Sequence, residues 1–408
     1  MKSSKTLALT LLVSLITLGA FAQLSVIQYT ETNGLPSNDV CGGIAVAPNG
    51  NIWAGTSAGV AKFNGTVWTG YDSGDGMISD YCTCIAVDNN NIVWVGTDMG
   101  LCRFDGSTFT NYTTVEGLAD NSVNYIACDN AGKVYIATFN GVSVFNGISF
   151  DNLTTDDGLP TNLIVYVHVV APNNVWFATL GEGAVYFNGT SFTSFSTGQG
   201  LASTDISSVV VDTDQKKWIA SFSGIDVLDS ENQYYTLQNH EDGLYSPYAD
   251  GLYHDFVQDV AADALGNIWA CVYVDYLQDG AVTLYSNGEW QTVFTETNSL
   301  RDIKTDPNGN AWIGSGAGVF KVQIESSLNE IDESLMPVVY PNPAEQYINI
   351  LYADKICSVK IFNVQGKLVS SYSNEQSNRF DISGLADGYY YIQFDAANLR
   401  YTLNFVKK

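Results

Sequence analysis

The stretch NIWAGTSAGVAKFNG, from Asn51 to Gly65, occurs again along the chain with small changes. A second copy, NIVWVGTDMGLCRFDG, begins at Asn91, and a third, KVYIATFNGVSVFNG, begins at Lys133. Aligned on one central aromatic residue, the copies lie about 41 residues apart at Trp53, Trp94, Tyr135, Trp176, Trp218, Trp269 and Trp312. Such a period is typical of a fold made of repeated units, so the stretch describes how the protein is built.

Each copy has the same internal order of strands and turns. In the first copy, an apolar run leads to the turn Pro48–Gly50, and a strand then surrounds Trp53. A second turn at Gly59 leads to a third strand, and the hairpin Asn64–Gly65 leads to a fourth, Thr66–Tyr71. Four antiparallel strands in about 41 residues are typical of one blade of a β-propeller.

The ends of the repeat region predict how the ring closes. The seventh copy is followed by Lys321–Gln323 without a fourth strand, whereas an unpaired strand, Ser25–Thr30, precedes the first copy. We therefore expect the N-terminal strand to complete the last blade, which leaves no blade open. The fold class is all-β, with a seven-bladed β-propeller over residues 23–323.

Aspartate recurs six residues before the aromatic position, at the start of the first turn of a copy. An Asp side chain accepts hydrogen bonds from the backbone of such a turn. The five members of this set are Asp88, Asp129, Asp212, Asp263 and Asp306.

The first 22 residues have the features of a secretory signal. Lys2 and Lys5 precede an apolar segment, and Ala20-Phe21-Ala22 is an A-x-A site that predicts cleavage between Ala22 and Gln23. No other stretch is apolar enough to predict a transmembrane helix.

The charge of the chain excludes several classes of partner. The 17 Lys and Arg face 43 Asp and Glu, and the formal net charge is −26. Such an acidic chain is not expected to bind nucleic acid or an anionic membrane, although it suits the extracellular space and could bind cations.

The seven Cys are scattered, which favours small buried side chains over a disulfide framework. A Cys41–Cys82 bridge remains open, because both residues occupy equivalent positions in the repeat.

The repeat resembles a known family. The glycine-rich phrase, the Trp and the link Gly34-Leu35-Pro36, repeated as Gly158-Leu159-Pro160, resemble the two-component regulator propeller repeat over residues 24–322. In that family such repeats usually form the sensing part of membrane receptors, many of which respond to glycans. This chain shows no membrane helix, kinase or receiver domain, so the resemblance implies only a binding role.

The 41-residue repeat ends before a polar linker at residues 324–337, and the tail has a different pattern. Residues 338–408 contain seven short alternating segments, which predict a small immunoglobulin-like β-sandwich.

This tail resembles the C-terminal (type A) sorting domain of proteins exported by the type IX secretion system. The resemblance lies in YPNPAEQYINI (Tyr340–Ile350), VKIFNVQGKLV (Val359–Val369), DISGLADGYYYIQF (Asp381–Phe394) and the terminal NFVKK. It implies export by the type IX machinery of a Bacteroidetes-type bacterium, followed typically by removal of the tail by a sortase-like peptidase. The protein is therefore expected to be secreted or held at the outer cell surface.

Two insertions point to a candidate binding surface. The spacing from Trp218 to Trp269 is 51 residues, and the additional residues fall in the link Asn239–Phe256. A long loop, Val272–Gly280, then emerges on the same face of the propeller. Tyrosine rings stack on sugars and carboxylates accept from ligand hydroxyls, although such loops can also pack on themselves. The candidate ligand-binding residues are Tyr245, Tyr248, Tyr253, His254, Tyr273, Asp275 and Tyr276.

Oxygen-bearing side chains also recur fourteen residues before each aromatic position. An arc of them around the channel, Asp39, Asp80, Asp255 and Asn298, could hold Ca²⁺, the one cofactor that the sequence leaves open. The alternative is that each side chain caps its own link. A calcium site predicts a melting temperature that rises with Ca²⁺, and unchanged melting in a chelator would exclude it.

No catalytic residue is predicted. Gly55–Gly59 fits G-x-S-x-G, but it lies between two strands, whereas a nucleophile elbow joins a strand to a helix. The chain has only three His, and His168 lies in an apolar strand, where a structural role is usual. We therefore expect a binding protein for a glycan or a protein ligand. The alternatives are a propeller enzyme of the streptogramin-lyase-like or polysaccharide-degrading type and a structural surface spacer.

Overall fold

The computed structural model describes residues 23–239, 244, 256–272, 280–296, 299–325, 338–351, 356–364, 367–373, 378–396 and 399–408. The chain divides into a unit of Leu24–Ile324 and a second unit that includes Glu325–Lys408. The described residues form strands, turns and four short 3₁₀ segments, without an α-helix among them. The predicted signal at residues 1–22 and most of the predicted linker lie outside the described residues.

The first unit consists of seven four-stranded antiparallel sheets. Strand β1 (Gln23–Tyr29) precedes sheet one, which is β2 (Ile44–Val46), β3 (Ile52–Thr56), β4 (Gly59–Phe63) and β5 (Trp68–Tyr71). Sheet two is β6 (Cys82–Val87), β7 (Val93–Thr97), β8 (Leu101–Phe104) and β9 (Phe109–Tyr112), and sheet three is β10 (Val123–Cys128), β11 (Val134–Thr138), β12 (Gly141–Phe145) and β13 (Phe150–Leu153). Sheet four is β14 (Ile164–Ala171), β15 (Asn174–Thr179), β16 (Ala184–Phe187) and β17 (Phe192–Phe195), and sheet five is β18 (Ile206–Val211), β19 (Lys217–Ser221), β20 (Gly224–Leu228) and β21 (Tyr234–Gln238). Sheet six is β22 (Val257–Ala262), β23 (Ile268–Val272), β24 (Gly280–Ser286) and β25 (Glu289–Glu296).

Sheet seven combines the two ends of this unit. It contains β26 (Leu300–Thr305), β27 (Ala311–Ser315) and β28 (Gly318–Glu325), and β1 pairs with β28 as the outer strand. This is the strand order that the sequence predicts.

The first strands of the sheets line a central channel. Strands β2, β6, β10, β14, β18, β22 and β26 lie side by side in that order, and β26 lies next to β2. One apolar core fills each space between neighbouring sheets. Between sheets seven and one, for example, Trp312 packs with Val40, Ile44 and Trp68, and Tyr29 of β1 covers this core. Because every sheet buries both faces against its neighbours, the ring is held mainly by hydrophobic burial.

In sheets five, six and seven, the Asp at the first turn binds both its own turn and the indole of the aromatic residue. In sheet five, Asp212 Oδ1 accepts from the amides of Asp214 and Lys216, each at 2.9 Å. Its Oδ2 accepts from the indole Nε1 of Trp218 at 2.8 Å. The predicted turn role is confirmed, and the same carboxylate also satisfies the buried indole donor.

The links between sheets repeat one capped turn. Asp72 Oδ1 accepts from Gly74 N at 2.7 Å, and Asp72 N donates to Asp75 Oδ2 at 3.1 Å, which is a capping box. Gly76 then ends the 3₁₀ turn at φ 111°, a conformation that favours glycine. The 3₁₀ segments are Glu31–Asn33, Ser73–Asp75, Thr155–Asp157 and Thr197–Gln199.

Two positions far apart in each repeat vary together. In three links, the residue after the buried Leu or Met has a backbone amide that donates to a side chain of the third strand. These pairs are Ile78 N to Cys102 Sγ at 3.4 Å, Ala119 N to Ser143 Oγ at 2.8 Å, and Ala202 N to Asp226 Oδ2 at 3.0 Å.

In two other links the same position is a proline, Pro36 or Pro160, which has no N–H to satisfy. The matching third-strand position then holds an apolar residue, Ala61 or Val185. The pattern follows from the cost of leaving a buried amide without an acceptor.

This pairing predicts the outcome of a double-mutant cycle at Ala119 and Ser143. Ser143→Ala removes the acceptor, and we expect it to lower the free energy of unfolding by about 1–3 kcal/mol. In an Ala119→Pro background the amide is absent, so the same Ser143→Ala change should cost much less. Urea unfolding of the four proteins measures the coupling, and equal costs in both backgrounds would contradict the explanation.

The second unit contains seven strands in two antiparallel sheets around one apolar core. The strands are β29 (Val338–Tyr340), β30 (Tyr347–Leu351), β31 (Ile356–Asn363), β32 (Leu368–Ser373), β33 (Arg379–Asp381), β34 (Gly388–Ala396) and β35 (Leu399–Lys407). The three-stranded sheet has the order β29-β30-β33, and the four-stranded sheet has the order β32-β31-β34-β35.

The Tyr-Pro-Asn-Pro motif of this unit covers the edge of the last strand. Asn342 Oδ1 accepts from Val406 N at 2.9 Å, and Ala344 N donates to Val406 O at 2.8 Å. Lys408 N in turn donates to Ala344 O at 2.9 Å. An exposed strand edge is a template for unwanted pairing, and the motif blocks this one.

Candidate functional site

One end of the channel opens into a cavity of about 440 Å³, which we call the mouth. One wall of the mouth is aromatic: the rings of Phe222 and Phe256 stack with centroids 4.0 Å apart and planes at 9°. Phe222 remains 47% exposed, and Leu180 continues this wall at 37%. Polar side chains, including Asn124, Gln258 and Arg301, line other parts of the mouth.

Polar lining residues occupy the second position of five first strands, β6, β10, β18, β22 and β26. Three of these side chains donate to a backbone carbonyl at the start of the next sheet. These contacts are Thr83 Oγ1 to Val123 O at 2.5 Å, Asn124 Nδ2 to Ile164 O at 2.8 Å, and Ser207 Oγ to Val257 O at 2.5 Å. They set the spacing of neighbouring sheets around the mouth. In sheet seven this position is Arg301, whose guanidinium lies 2.7 Å from Asp39 Oδ1.

A cluster of five side chains, the channel plug, fills the middle of the channel. It comprises Tyr125, Tyr166, Asp259, Asp302 and Lys304. Lys304 Nζ lies 2.9 Å from Asp259 Oδ2 and 2.6 Å from Asp302 Oδ1. The same nitrogen lies 5.7 Å and 5.9 Å from the stacked rings of Tyr125 and Tyr166, which add a cation–π contact. The plug separates the mouth from a second cavity of about 360 Å³ at the opposite end.

The carboxylates of the plug also bind the framework. Asp259 Oδ2 accepts from Ile303 N at 3.0 Å, and Asp302 Oδ2 accepts from Ile44 N at 2.7 Å. Gly43, at φ 71°, lies so close that an added Cβ would come within 2.8 Å of the Asp302 carboxyl. The two carboxylates therefore join sheets six, seven and one, and their geometry is that of a structural pin.

Burial shapes the titration of the channel groups. It raises the pKa of Asp302 to about 7, with the Lys304 ammonium opposing and the Asp259 carboxylate adding to the rise. Burial lowers the pKa of Lys304, but the two carboxylates outweigh it and hold that pKa well above its usual value. Burial and the Lys304 charge lower the pKa of His168 to about 4. His168 Nε2 accepts from Val211 N at 3.3 Å, so this His is neutral and structural at pH 7.

The predicted ligand-binding residues, Tyr245, Tyr248, Tyr253, His254, Tyr273, Asp275 and Tyr276, lie outside the described residues. The same holds for Asp255 and Asn298 of the predicted calcium arc. The binding surface formed by the seven predicted residues, which we call the shelf, therefore remains a prediction.

The two described members of the arc have protein partners. Asp39 pairs with Arg301 at 2.7 Å, and Asp80 Oδ1 accepts from Ser73 N at 2.6 Å. A calcium ion would have to displace these donors. Among the described residues, no three His, Cys, Asp or Glu side chains are grouped to hold a metal ion.

The first link differs from the others by one residue. There Asn38 Oδ1 accepts from the backbone amide seven residues earlier, Glu31 N, at 2.8 Å. In later links Asp80, Asn121 and Asn162 each accept from the amide seven residues before them. One additional residue lies between this cap and strand β2. Asp39 is therefore not the structural equivalent of Asp80, and it is free to pair with Arg301.

The Cys41 and Cys82 side chains are free thiols. Cys41 Sγ donates to the backbone oxygen of Cys82 at 3.0 Å, and burial raises the pKa of Cys41 to about 11. The structure therefore has no Cys41–Cys82 bridge.

Sequence reasoning missed the residues that define the mouth and the plug. A signal was available for two of them, because residues 23–337 contain only eight Lys and Arg, and Arg301 and Lys304 fall in one first strand. Phe222 and Phe256 gave no such signal, since their stacking brings together a loop of sheet five and the start of sheet six.

Family models support both resemblances. Residues 338–408 match the model described as the secretion system C-terminal sorting domain, and residues 34–58 match that of the two component regulator propeller. Among curated proteins, no sequence matches the chain.

Solved structures share the propeller-like fold. The extracellular domain of the putative hybrid two component system BT3049 from B. thetaiotaomicron is 16% identical with a TM-score of 0.60, covering 94% of this chain and 57% of that one. PorZ, described as an essential bacterial surface component of the type-IX secretion system of Porphyromonas gingivalis, is 19% identical with a TM-score of 0.58, covering 92% and 60%. Virginiamycin B lyase from Staphylococcus aureus is 12% identical with a TM-score of 0.57, covering 74% and 99%. This chain thus spans less than two thirds of the first two, and the likeness shows the fold alone.

The sorting domain indicates where the protein acts. Domains of this family direct proteins out of the cell, so the chain is secreted or held at the cell surface. In the described ranges, no helix has the length and apolar character needed to cross a membrane.

The plug predicts a pH dependence of stability. The pKa of Asp302 is about 7 in the folded protein, above the usual value of 3.8. The Asp302 carboxyl therefore binds its proton more tightly in the folded protein than in the unfolded chain. The protonated carboxyl stabilises the folded state at low pH, and this contribution is lost as the pH rises through about 7. We expect the melting temperature of the wild type to fall more between pH 5 and pH 8 than that of Asp302→Asn. Parallel curves for the two proteins would contradict the assignment.

Proposed function

We propose that the protein is a secreted or cell-surface binding protein made of a seven-bladed β-propeller and an immunoglobulin-like tail. Seven sheets around one channel, with β1 in the last sheet, support the closed propeller. Two sheets around one core support a sandwich, and the family match of residues 338–408 supports its role in export by the type IX machinery and its sortase.

The mouth is the proposed binding site, and its cavity of about 440 Å³ is the observation that carries the proposal. Its aromatic wall can stack on a sugar ring or on an apolar side chain of a protein ligand. Asn124 and Gln258 can hydrogen-bond ligand hydroxyls or amides from within the same cavity. Phe256 ends the link that carries Tyr245, Tyr248 and Tyr253, so the predicted shelf would extend this wall.

The state of the titratable groups favours binding over catalysis. The carboxylates of the plug accept from backbone amides and from Lys304, which leaves neither as a free base. A general acid or base needs an open path to the reacting atom, and the described channel groups are committed to the framework.

A matched pair of variants tests the mouth. Phe222 and Phe139 each follow the second strand of their sheet and each are 47% exposed, but only Phe222 lines the mouth. The full chain is screened on a glycan array, and titration calorimetry then measures binding of the glycan found. We expect Phe222→Ala to weaken binding at least tenfold, equivalent to about 1.4 kcal/mol, while Phe139→Ala leaves it unchanged.

Equal affinities for these two variants would contradict the mouth as the site. The triple variant Tyr245→Ala/Tyr253→Ala/Tyr276→Ala extends the test to the predicted shelf. Wild-type affinity of this variant would remove the shelf from the site, and an array without any bound glycan would exclude the tested glycans as ligands.

A further inference from the structure

The second unit exposes an apolar surface that its own core does not use. Strand β34 alternates between buried Tyr390, Ile392 and Phe394 and outward-facing residues. The outward Tyr389 and Tyr391 are 68% and 46% exposed. Exposed apolar residues on a soluble protein are normally scattered singly, whereas these two outward tyrosines are neighbours and form a patch.

Strand register shows that these rings belong to one surface. Tyr391 is the cross-strand partner of Phe362 in β31, and Phe362 is in turn the partner of Leu368 in β32. On the other side, Tyr389 is the partner of Val406 in β35. We call these five residues, Phe362, Leu368, Tyr389, Tyr391 and Val406, the tyrosine face. It crosses all four strands of the sheet.

The tyrosine face has a polar border. The next row along the sheet contains Lys360, paired with Ser371 on one side and Gln393 on the other. Lys360 and Lys367 are exposed at the same sheet. An apolar centre with a polar border is the usual composition of a protein–protein contact surface.

The tail also differs from the rest of the chain in charge. Residues 338–408 carry seven Lys and Arg and six Asp and Glu, whereas residues 23–337 carry eight and 37. The tail is therefore close to neutral and the remainder strongly acidic. A partner with acidic groups would be repelled by the remainder, whereas Lys360 and Lys367 at the border of the tyrosine face would attract it.

We propose that the tyrosine face is the surface by which a protein of the export machinery holds this sorting domain. A partner recognises a sorting domain by contact with residues of the domain itself. The tyrosine face is a continuous apolar surface on the described part of this domain. The partner's groove is expected to be apolar at its centre, with Asp or Glu opposite Lys360 and Lys367. This inference rests on the proposed export by the type IX system.

Export of the full chain in a bacterium with a type IX system tests the proposal. Tyr389→Ser/Tyr391→Ser removes the two most exposed rings of the face. The control, Tyr340→Ser/Tyr347→Ser, removes two rings that are 46% and 37% exposed on the three-stranded sheet. The readouts are the amounts of the chain outside the cell and in the periplasm, together with the melting temperature of each purified variant.

We expect Tyr389→Ser/Tyr391→Ser to reduce export at least tenfold and to accumulate in the periplasm, with a melting temperature close to that of the control. The variant Tyr389→Phe/Tyr391→Phe keeps the rings and should be exported at the wild-type level. Equal export of the two serine variants would overturn the proposal. So would a loss of self-association in Tyr389→Ser/Tyr391→Ser without a loss of export, because the face would then join two copies of the chain.

A strain without the type IX system separates this proposal from the proposed function. Wild-type export that is unchanged in that strain contradicts the proposed route of export itself. Export that depends on the system but is insensitive to the tyrosines contradicts only the tyrosine face.

Discussion

The propeller unit depends on the closure between its last and first sheets. Closure requires β1 to pair with β28, which places the two ends of the unit in one sheet. Trp312, Tyr29 and Trp68 then pack in one core, and Asp302 binds the amide of Ile44 across the junction. An open ring would expose a strand edge and an apolar face on each side of the gap. The interface between sheets seven and one therefore closes the ring that the other six sheet interfaces form.

The repeat explains most of the structure through local requirements for hydrogen bonding. In three links a buried backbone amide has an acceptor on the third strand, and in the two links where proline removes the donor, the acceptor is missing too. In sheet five, Ala202 N donates to Asp226 Oδ2. In sheet four, Pro160 has no N–H, and the matching third-strand residue is the apolar Val185. Because these requirements recur along the chain, departures from the repeat mark the places where the sequence does something other than build the ring.

The departures are concentrated in the channel. Arg301 and Lys304 replace the neutral residues found in most other first strands. Phe222 occupies a loop position that is also apolar in sheets three and four, as Phe139 and Leu180, but it stacks on Phe256. Together they produce a mouth with an aromatic wall above a charged plug. In the tail, the corresponding departure is Tyr389 and Tyr391, which face outward where an ordinary sandwich face carries more polar residues. The binding proposal and the export proposal thus rest on two surfaces in separate units.

The sequence alone determined the repeat, the strand order with β1 in the last sheet, the turn role of residues such as Asp212, and the sorting tail. These features follow from local spacing, since turns and strand alternation act over a few residues. Only the tertiary structure decided that Asn38 rather than Asp39 caps the first link, that Asp39 pairs with Arg301, and that Lys304 lies between two carboxylates and two tyrosines. These contacts join sheets that are distant in sequence. A one-residue insertion or the curvature of the ring changes which side chains meet, and no periodic pattern records that geometry.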